Sequence, residues 1–502
     1  MRVLPTFLSL RSFLDWCGDT GQLLRVADKV SVRHQITAVH RAVLERGGPV
    51  LRFDHPTLAG GSPAEIPVVV NLFGTPERVA AGLGITLDRL DELAAFLAAL
   101  RSPSPPDGLR DALSRWPMLK AALATRPKII KAAPVHECVL EGPRVDLSAL
   151  PVQNHWPGDA GALITWPVVV TRPHGSAMSE INRYNAGVYR AQVISSDRVI
   201  MRWLPHRGGA AHHQSWARQG LATPVAIVLG ADPAALLSAA LPLPETVSEL
   251  TFAGALNGAR PRLVAAKTVE LMVPAEAEIV LEGWVSPSEL APEGPFGDHT
   301  GYYNPAEPFP VMQVTAITHR QTPIYLSTYT GRPPDEPAII GEVFNRLALP
   351  TIRAQIPEIR DLWLPPAACS YRIAVVSIDK RYPGQARRVM MALWGMLPQF
   401  SYTKMIIVVD ADLDPANWDD IAWALATRMD PSRDVMLVEN TPMDYLDFAS
   451  PRAGLAGKMG IDATVKIASE TGRHWGEVMK TAPADAAFAA DLLSRLMPDK
   501  GA

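Results

Sequence analysis

Hydrophobic and polar positions alternate differently in three successive stretches of the chain. In residues 1–131, a strand-like apolar run at residues 67–72 is followed by helical spacing of Ala and Leu over residues 87–100. Apolar residues three and four positions apart line one face of a helix, whereas alternation at every second position indicates a strand. The pattern therefore predicts an N-terminal α/β region over residues 1–131.

Short β-rich runs dominate residues 132–330, and Gly, Pro, Asn and Asp separate them. The runs predicted as strands are residues 166–171, 187–193, 199–204, 225–229, 263–272, 279–285 and 311–317. Many short strands with turn residues between them are typical of a barrel or a sandwich. We therefore predict a β-rich central domain.

Strand-like and helical patterns alternate in residues 331–480. The predicted strands are residues 371–378, 405–409 and 435–438, and the predicted helices are residues 385–396 and 418–428. Alternation of this kind favours a second α/β domain with a parallel sheet. In the tail, residues 481–502, one face of a predicted C-terminal helix carries Phe488, Leu492, Leu493 and Leu496.

Length and composition fit an ordinary multidomain globular protein. A chain of 502 residues is too long for one hydrophobic core, so two or three domains are expected. Hydrophobic residues make up 48% and charged residues 20% of the chain. The net charge of −3, from 48 basic and 51 acidic residues, provides no general attraction to nucleic acid, and we expect no such partner.

The cysteines and the hydropathy pattern favour a cytoplasmic location. Cys17, Cys138 and Cys369 are odd in number and far apart, which argues against a disulfide framework and against a cysteine-rich metal site. The first residues lack the uninterrupted apolar core of a signal peptide. Because no run of about 18 apolar residues is free of charge and proline, we expect no membrane span.

An acidic segment, Glu-Gly-Pro-Phe-Gly-Asp, places Glu293 and Asp298 five residues apart. On a helix this spacing would turn the two side chains about 140° away from each other. Gly294, Pro295 and Gly297 disfavour a helix, so a turn could direct both acids into one cavity. Neighbouring carboxylates shift each other's pKa and suit proton transfer. A surface turn with solvated acids is the alternative.

Two arginine-containing stretches, residues 185–190 and 202–209, interrupt strand-like patterns. Arginine has forked donors and glycine lets backbone N–H groups approach closely, so together they could bind a phosphate. Asn185 and His206, with a carboxylate from elsewhere, could hold a divalent metal ion over that phosphate. The alternative is a half-exposed sheet with ordinary surface arginines.

Together these stretches resemble the UbiD family of decarboxylases, which use prenylated FMN. Residues 293–298 resemble the acidic motif of the family, and residues 185–190 resemble its metal-and-flavin strand. Further segments are similar to the branch that acts in ubiquinone synthesis; they are residues 327–337, 369–372, 428–431, 438–442, 447–451 and 458–464. The resemblance covers nearly the whole chain and implies an α+β multidomain fold whose centre is a split β-barrel that binds the flavin.

The resemblance also implies roles for particular residues. The implied catalytic residues are Arg190, Glu293 and Asp298. The implied ligands of a Mn²⁺ ion, with K⁺ as a second ion to consider, are Asn185, His206 and Glu249. The implied cofactor-binding residues are Val188, Tyr189, Arg190, Arg202, Trp203, Leu204, Arg207, Gly208 and Lys458.

The implied reaction removes CO2 from a 4-hydroxy-3-polyprenylbenzoate and gives a 2-polyprenylphenol. Loss of CO2 from an aryl ring leaves a carbanion that side chains cannot accept, so a cofactor must act as the electron sink. Asp298 would protonate the ring carbon, and Arg190 would position the substrate carboxylate or Glu293. Many relatives have glutamate at the position of Asp298, and the shorter aspartate favours the polyprenylbenzoate branch.

Two alternative functions stay open. One is reversible decarboxylation of a small phenolic or heteroaromatic acid, and the other is a non-catalytic flavin-binding scaffold of the quinone pathway. An open apolar channel would favour the polyprenyl substrate, whereas a small closed pocket would favour the small acid. The resemblance implies two protein partners, a flavin prenyltransferase that supplies the cofactor and further copies of the chain in a dimer or hexamer. The C-terminal helix would dock on a neighbouring subunit or, alternatively, on the inner face of the cell membrane.

Overall fold

The computed structural model describes residues 2–101, 121–205, 207–241, 243, 247–396 and 398–496. Its α-helices are α1 Leu10–Asp19, α2 Gln35–Leu44, α3 Pro76–Gly82, α4 Leu90–Arg101, α5 Gly208–Ala217, α6 Pro233–Ala240, α7 Glu249–Asn257, α8 Glu336–Gln355, α9 Gln385–Met396, α10 Trp418–Arg428, α11 Pro431–Asp434 and α12 Pro483–Leu496. Its strands are β1 Leu23–Ser31, β2 Val50–Thr57, β3 Val68–Val70, β4 Lys128–Ile129, β5 Cys138–Glu141, β6 Leu163–Ile164, β7 Val168–Thr171, β8 Asn185–Val188, β9 Ala191–Val193, β10 Arg198–Met201, β11 Thr223–Leu229, β12 Arg262–Ala265, β13 Met272–Pro274, β14 Ile279–Glu293, β15 Glu307–His319, β16 Tyr325–Leu326, β17 Ile359–Trp363, β18 Ile373–Ile378, β19 Met405–Asp410, β20 Val435–Pro442 and β21 Leu455–Asp462.

The N-terminal region packs helices on a four-stranded sheet of order β1-β2-β3-β16. Helix α1 begins after Ser9, whose side chain accepts a hydrogen bond from the backbone N–H of Ser12, and such caps stabilise helix starts. Arg11 of α1 binds both oxygens of the fully buried Glu278 at 2.8 Å. This ion pair connects the first helix to the central part of the fold.

The central sheet has nine strands among the described residues and curls into an open half-barrel. Its order is β6-β9-β10-β15-β14-β11-β7-β8, and β5 also pairs with β15. Strand β11 is buried at every position. Ala226 and Val228 pack into one apolar core, whereas Val225 and Ile227 pack into another on the opposite face, as expected from the two-residue period of a strand.

Strand β14 is longer than the pattern predicted. Residues 279–285 were the predicted strand, because Ser286, Pro287 and Ser288 look like a turn. In the structure these residues form an irregularity in the pairing between Val285 and Leu290, after which β14 continues to Glu293. A bulge interrupts a ladder without ending it. As a result, Glu293 is the last residue of a strand in the central sheet.

The C-terminal sheet has the order β17-β18-β19-β21-β20, and β18, β19 and β21 are parallel. Helices α9 and α10 have the bounds that the sequence pattern predicted. Val376 and Val408 face one apolar core, whereas Val375 and Ile407 face the other. The predicted fold class, a multidomain α+β chain with a β-rich centre and an α/β C-terminal domain, is confirmed.

Two pairings cross the predicted domain boundaries. Strand β4 pairs with β12 of the central region, and β16 pairs with β3 of the N-terminal sheet. The boundaries at residues 131, 330 and 480 stay predictions. Helix α12 buries none of its residues, and Phe488 and Leu496 are exposed on it. In the described part of the chain, no helix is both long and apolar enough to cross a bilayer.

Candidate active site

Arg190, between β8 and β9, bridges the two carboxylates that the acidic segment supplies. Its Nε and Nη2 donate to the two carboxylate oxygens of Glu293 at 2.8 and 3.2 Å. Its Nη1 donates to Oδ2 of Asp298 at 2.9 Å, and Nη2 also donates to Oδ1 of Asn304 at 2.8 Å. The structure thus brings Arg190, Glu293 and Asp298 into direct contact.

A second arginine binds the same buried carboxylate. Nη1 of Arg202 donates to Oε2 of Glu293 at 2.5 Å, and Nη2 donates to the hydroxyl of Tyr445 at 2.6 Å and to Glu307 at 3.3 Å. Glu293 is fully buried, and two guanidinium groups offset the cost of removing its charge from water. The resemblance implies that Arg202 binds the cofactor; its contact with Glu293 was not predicted, because the two residues are 91 positions apart in the chain.

Hydrogen bonds from other segments hold the acidic turn in place. The backbone N–H of Gly294 donates to Gln192 at 2.9 Å, and that of Gly297 donates to Asp159 at 2.9 Å. A Cβ at Gly297 would overlap the ring of Trp156, so only glycine fits there. The alternative of a surface turn with solvated acids is therefore wrong.

Asp298 and His299 form a second charge pair within the turn. Oδ1 of Asp298 accepts hydrogen bonds from Nδ1 of His299 at 2.9 Å and from its backbone N–H at 2.8 Å. Burial opposes ionisation of Asp298, but the hydrogen bond from His299 and the charge of Arg190 outweigh it and lower the pKa. Burial likewise opposes protonation of His299, but the hydrogen bond to Asp298 and the charges of Asp298 and Asp444 raise its pKa above 6.5. His299 was not predicted as a site residue, and its position directly after Asp298 is the signal that could have indicated it.

The start of helix α5 suits a phosphate group. Arg207 precedes the helix and its side chain makes no capping hydrogen bond, and the N-terminus of a helix favours an anion. A Cβ at Gly208 would overlap the side chain of Asn185. The hydroxyl of Tyr189 donates to Asn185 at 3.0 Å and accepts from the N–H of Gly209 at 3.2 Å. These residues fit the predicted cofactor phosphate.

Two of the three predicted metal ligands lie together. The carboxylate of Glu249 accepts hydrogen bonds from the backbone N–H of Ala186 at 2.9 Å and from the side chain of Asn185 at 3.4 Å. Burial raises the pKa of Glu249, and hydrogen bonds only partly counter this effect. A cation beside this carboxylate would favour its ionised form, so Glu249 suits a metal ion, and Asn185 lies next to it. His206, the third predicted ligand, lies outside the described residues.

Groups of three or more His, Cys, Asp or Glu side chains that could hold a metal ion are absent from the described residues. Because Asn185 supplies an amide and His206 is not described, the predicted set does not form such a group. The predicted Mn²⁺ site therefore stays a prediction.

Lys458 lies in the C-terminal domain, and its ammonium group donates hydrogen bonds to backbone carbonyls. Its ammonium donates to the carbonyl oxygens of Ser401 at 2.6 Å, Thr403 at 3.2 Å and Pro442 at 3.3 Å. Burial lowers its pKa to about 8. Its predicted contact with the cofactor stays a prediction, as do those of Val188 and Leu204.

An open cavity of about 410 Å³ lies beside Arg202. Its lining residues are Trp203, Leu204, Pro205, Glu307, Pro308, Phe309, Pro310 and Tyr445. Tyr445 and Glu307 are also the partners of Arg202, so the cavity adjoins the carboxylate site. Most of its wall is apolar, which suits a hydrocarbon group.

Three family models match consecutive parts of the chain. They describe the N-terminal, Rift-related and C-terminal domains of 3-octaprenyl-4-hydroxybenzoate carboxy-lyase, and they match residues 14–97, 128–333 and 338–463. Together they cover more than half of the chain. The chain therefore belongs to the UbiD family, and it is a carboxy-lyase.

Solved structures are similar over almost the entire chain. The UbiD-class enzyme HmfF from Pelotomaculum thermopropionicum, in complex with FMN, is 31% identical, with 96% of this chain and 99% of that chain covered and a TM-score of 0.78. An evolved dimeric form of the same enzyme, in complex with prFMN, is 30% identical over 96% and 99% of the two chains, with a TM-score of 0.76. The closed form of vanillic acid decarboxylase from Sedimentibacter hydroxybenzoicus is 28% identical over 98% and 99%, with a TM-score of 0.81.

We predict that Asp298→Asn lowers the pKa of His299 relative to the wild type, because one of the two charges that raise it is removed while burial remains. In the wild type, His299 has a higher pKa in the folded than in the unfolded chain. Protonated His299 therefore contributes its full stabilisation below the unfolded-state pKa of histidine as long as Asp298 is ionised, and this contribution is lost as the pH rises through the folded-state pKa of His299. The test is a histidine-resolved NMR titration, with His299→Gln used to assign the signal. An unchanged pKa in Asp298→Asn would contradict the ion pair.

Proposed function

We propose that the chain uses prenylated FMN to remove CO2 from a 4-hydroxy-3-polyprenylbenzoate, giving a 2-polyprenylphenol in ubiquinone synthesis. The observation that carries this proposal is the buried Arg190–Glu293–Asp298 contact beside an open, mainly apolar cavity. The family models and the flavin complexes of the HmfF enzyme support the reaction type and the cofactor. The segments similar to the ubiquinone branch support the substrate.

Residues of β8, of α7 and of the start of α5 would hold the cofactor. The first turn of α5, with Arg207 and Gly208, would bind the phosphate, and Asn185, His206 and Glu249 would hold a Mn²⁺ ion against it. When bound, prenylated FMN supplies the electron sink that side chains lack. The contribution of the protein is to orient the aromatic acid and to deliver a proton.

Arg190 would bind the substrate carboxylate through Nη1, which donates to Asp298 and carries a second N–H, while Nε and Nη2 stay on Glu293. A second anion beside Asp298, competing for the same guanidinium, raises the pKa of Asp298 and favours its protonated form. After CO2 leaves, Asp298 would donate its proton to the ring carbon. Glu293, held by Arg190 and Arg202, would keep both arginines oriented throughout.

A small phenolic acid is the second candidate substrate, because a structurally similar enzyme is a vanillic acid decarboxylase. The open apolar cavity favours the polyprenyl substrate, since a small acid would leave it unfilled. A scaffold without turnover is disfavoured by the intact contact among Arg190, Glu293 and Asp298, which a scaffold does not require.

We also propose that the chain forms a homo-oligomer in which α12 docks on a neighbouring copy. Phe488, Leu493 and Leu496 are exposed on this helix, and large exposed apolar side chains favour an interface. A dimeric form of a related enzyme supports assembly of this kind. Peripheral contact with the cell membrane is the alternative, but the few charges of α12 do not form the basic face that anionic lipid attracts.

The substrate is tested by producing the chain together with a flavin prenyltransferase and measuring CO2 release. We expect turnover of 4-hydroxy-3-prenylbenzoate, higher kcat/KM for the longer 3-geranyl acid, and weaker turnover of vanillate. Each additional buried methylene of the tail contributes about 0.8 kcal/mol at most. Preference for vanillate would favour the small-acid alternative. Absence of turnover of every acid, with the cofactor bound, would overturn the proposed reaction.

We predict that Glu293→Gln and Asp298→Asn each retain the flavin and lower kcat by about 10²–10⁴-fold, because they remove the carboxylates that orient Arg190 and deliver the proton. The matched control is Glu289→Gln, which also removes a carboxylate from strand β14 but at a side chain that pairs with Arg198 and is 47% exposed. The control should stay within about threefold of the wild type. Wild-type rates in both active-site variants would contradict the assignment.

We predict that Glu249→Gln reduces bound manganese and weakens flavin retention together, because the ion would lose its only carboxylate ligand. Metal analysis and flavin absorbance of the purified proteins measure the two quantities. Glu270→Gln is the control, since Glu270 pairs with Arg172 and is 75% exposed. Metal content equal to that of the wild type in Glu249→Gln would remove Glu249 from the ligand set.

A further inference from the structure

His299 lies between two carboxylates from different parts of the fold. Its Nδ1 contacts Oδ1 of Asp298 at 2.9 Å, and its Nε2 faces Oδ2 of Asp444, which follows β20, at 3.9 Å. Nε2 is buried and makes no hydrogen bond within the described structure. A shift of about 1 Å would bring this nitrogen within hydrogen-bond distance of Asp444.

Asp444 is fixed in a position to receive this hydrogen bond. Its Oδ2 accepts from the hydroxyl of Tyr371 at 2.9 Å and from Nη2 of Arg372 at 3.3 Å. Its Oδ1 accepts from the backbone N–H of Leu446 at 2.9 Å. Asp444 is also buried, so its charge acts strongly on a neighbouring imidazole.

The proposed reaction consumes one proton in every turnover. The bond from the ring carbon to the carboxylate breaks and its electron pair stays on the ring side, so a new C–H bond needs a proton from Asp298. Asp298 is then an anion and must be protonated again. Its charged side-chain contacts among the described residues are Arg190 and His299, and arginine does not release a proton at physiological pH.

We propose that His299 is a positioning residue that returns a proton to Asp298 in each turnover, with Asp444 holding its other nitrogen. This inference rests on the proposed function. The imidazolium transfers its Nδ1 proton to Oδ1 of Asp298 and becomes neutral. Asp444 keeps the remaining proton on Nε2, as an orienting carboxylate fixes the tautomer of a histidine. Once product leaves, a hydronium ion or buffer acid from the solvent protonates the imidazole again and supplies the one proton that each turnover consumes; the side chain of His299 is 23% exposed.

Charged groups on several elements face His299 and determine its titration. Burial lowers its pKa, Asp298 and Asp444 raise it, and Arg372 lowers it. Asp335, the N-cap residue of α8, is also close enough to interact with His299. The net effect is a raised pKa, so kcat in the wild type should fall as the pH rises through that value and His299 loses its proton.

The test compares His299→Asn and Asp444→Asn with the wild type, all loaded with prenylated FMN, over a range of pH. We expect His299→Asn to lower kcat about a hundredfold with little change in KM, and to abolish the alkaline fall of kcat. We expect Asp444→Asn to move that alkaline fall to lower pH. Deuterium exchange into the ring of 2-prenylphenol in D2O reverses the protonation step and should slow by the same factor as kcat.

The matched control is Asp447→Asn, which changes a buried aspartate of the same loop that contacts Lys404 and Arg372 but not His299. Asp447→Asn should leave the dependence of kcat on pH unchanged. If the effect of Asp444→Asn were only a loss of loop structure, both variants would change this dependence to the same extent. A wild-type profile in His299→Asn, or equal shifts in Asp444→Asn and Asp447→Asn, would overturn the proposal.

An NMR titration of His299 separates failure of this inference from failure of the proposed function. The pKa of His299 should be lower in Asp444→Asn than in the wild type, and it should be unchanged in Asp447→Asn. This measurement needs no turnover. If the wild type converts no aromatic acid but the pKa shift is found, the decarboxylase proposal fails and the carboxylate–imidazole–carboxylate arrangement stands. If the pKa is the same in wild type and Asp444→Asn, the inference fails whatever the activity.

Discussion

Two guanidinium groups on one fully buried carboxylate hold the centre of this structure together. Glu293 receives Arg190 from the segment between β8 and β9 and Arg202 from the end of β10. Removing one partner of a buried ion pair costs about 3–5 kcal/mol, because the other charge is left without compensation. The same contact therefore holds together the segment between β8 and β9, the end of β10 and the end of β14. It also sets the geometry in which Asp298 faces Arg190.

This arrangement depends on long-range pairing, which explains what the sequence could and could not predict. Helices α9 and α10 were predicted with their bounds, because their apolar spacing is regular and each packs on a sheet. The turn after Glu293 was predicted because glycine and proline exclude a helix. The continuation of β14 past Ser286–Ser288 was missed, because a bulge and a turn have the same local composition.

The partners of charged side chains were the least predictable feature. Arg202 and Glu293 are 91 residues apart, and nothing in either local sequence indicates that they meet. His299 was missed for a related reason, since its second neighbour, Asp444, comes from the C-terminal domain. Arg190, Glu293 and Asp298, which the resemblance groups as catalytic residues, are in contact in the structure, and their catalytic roles stay predictions. Spacing alone left a solvated turn as the alternative.

The wall of the cavity beside Arg202 has a chemical consequence of its own. Pro205, Pro308 and Pro310 line it, and proline has no backbone N–H to donate. A hydroxyl or amide that lay against these prolines would gain no backbone donor from them, whereas a hydrocarbon chain needs none. The polar groups of the wall are Trp203, Glu307 and Tyr445. The proline-lined side of the cavity therefore suits a hydrocarbon tail better than an oxidised one.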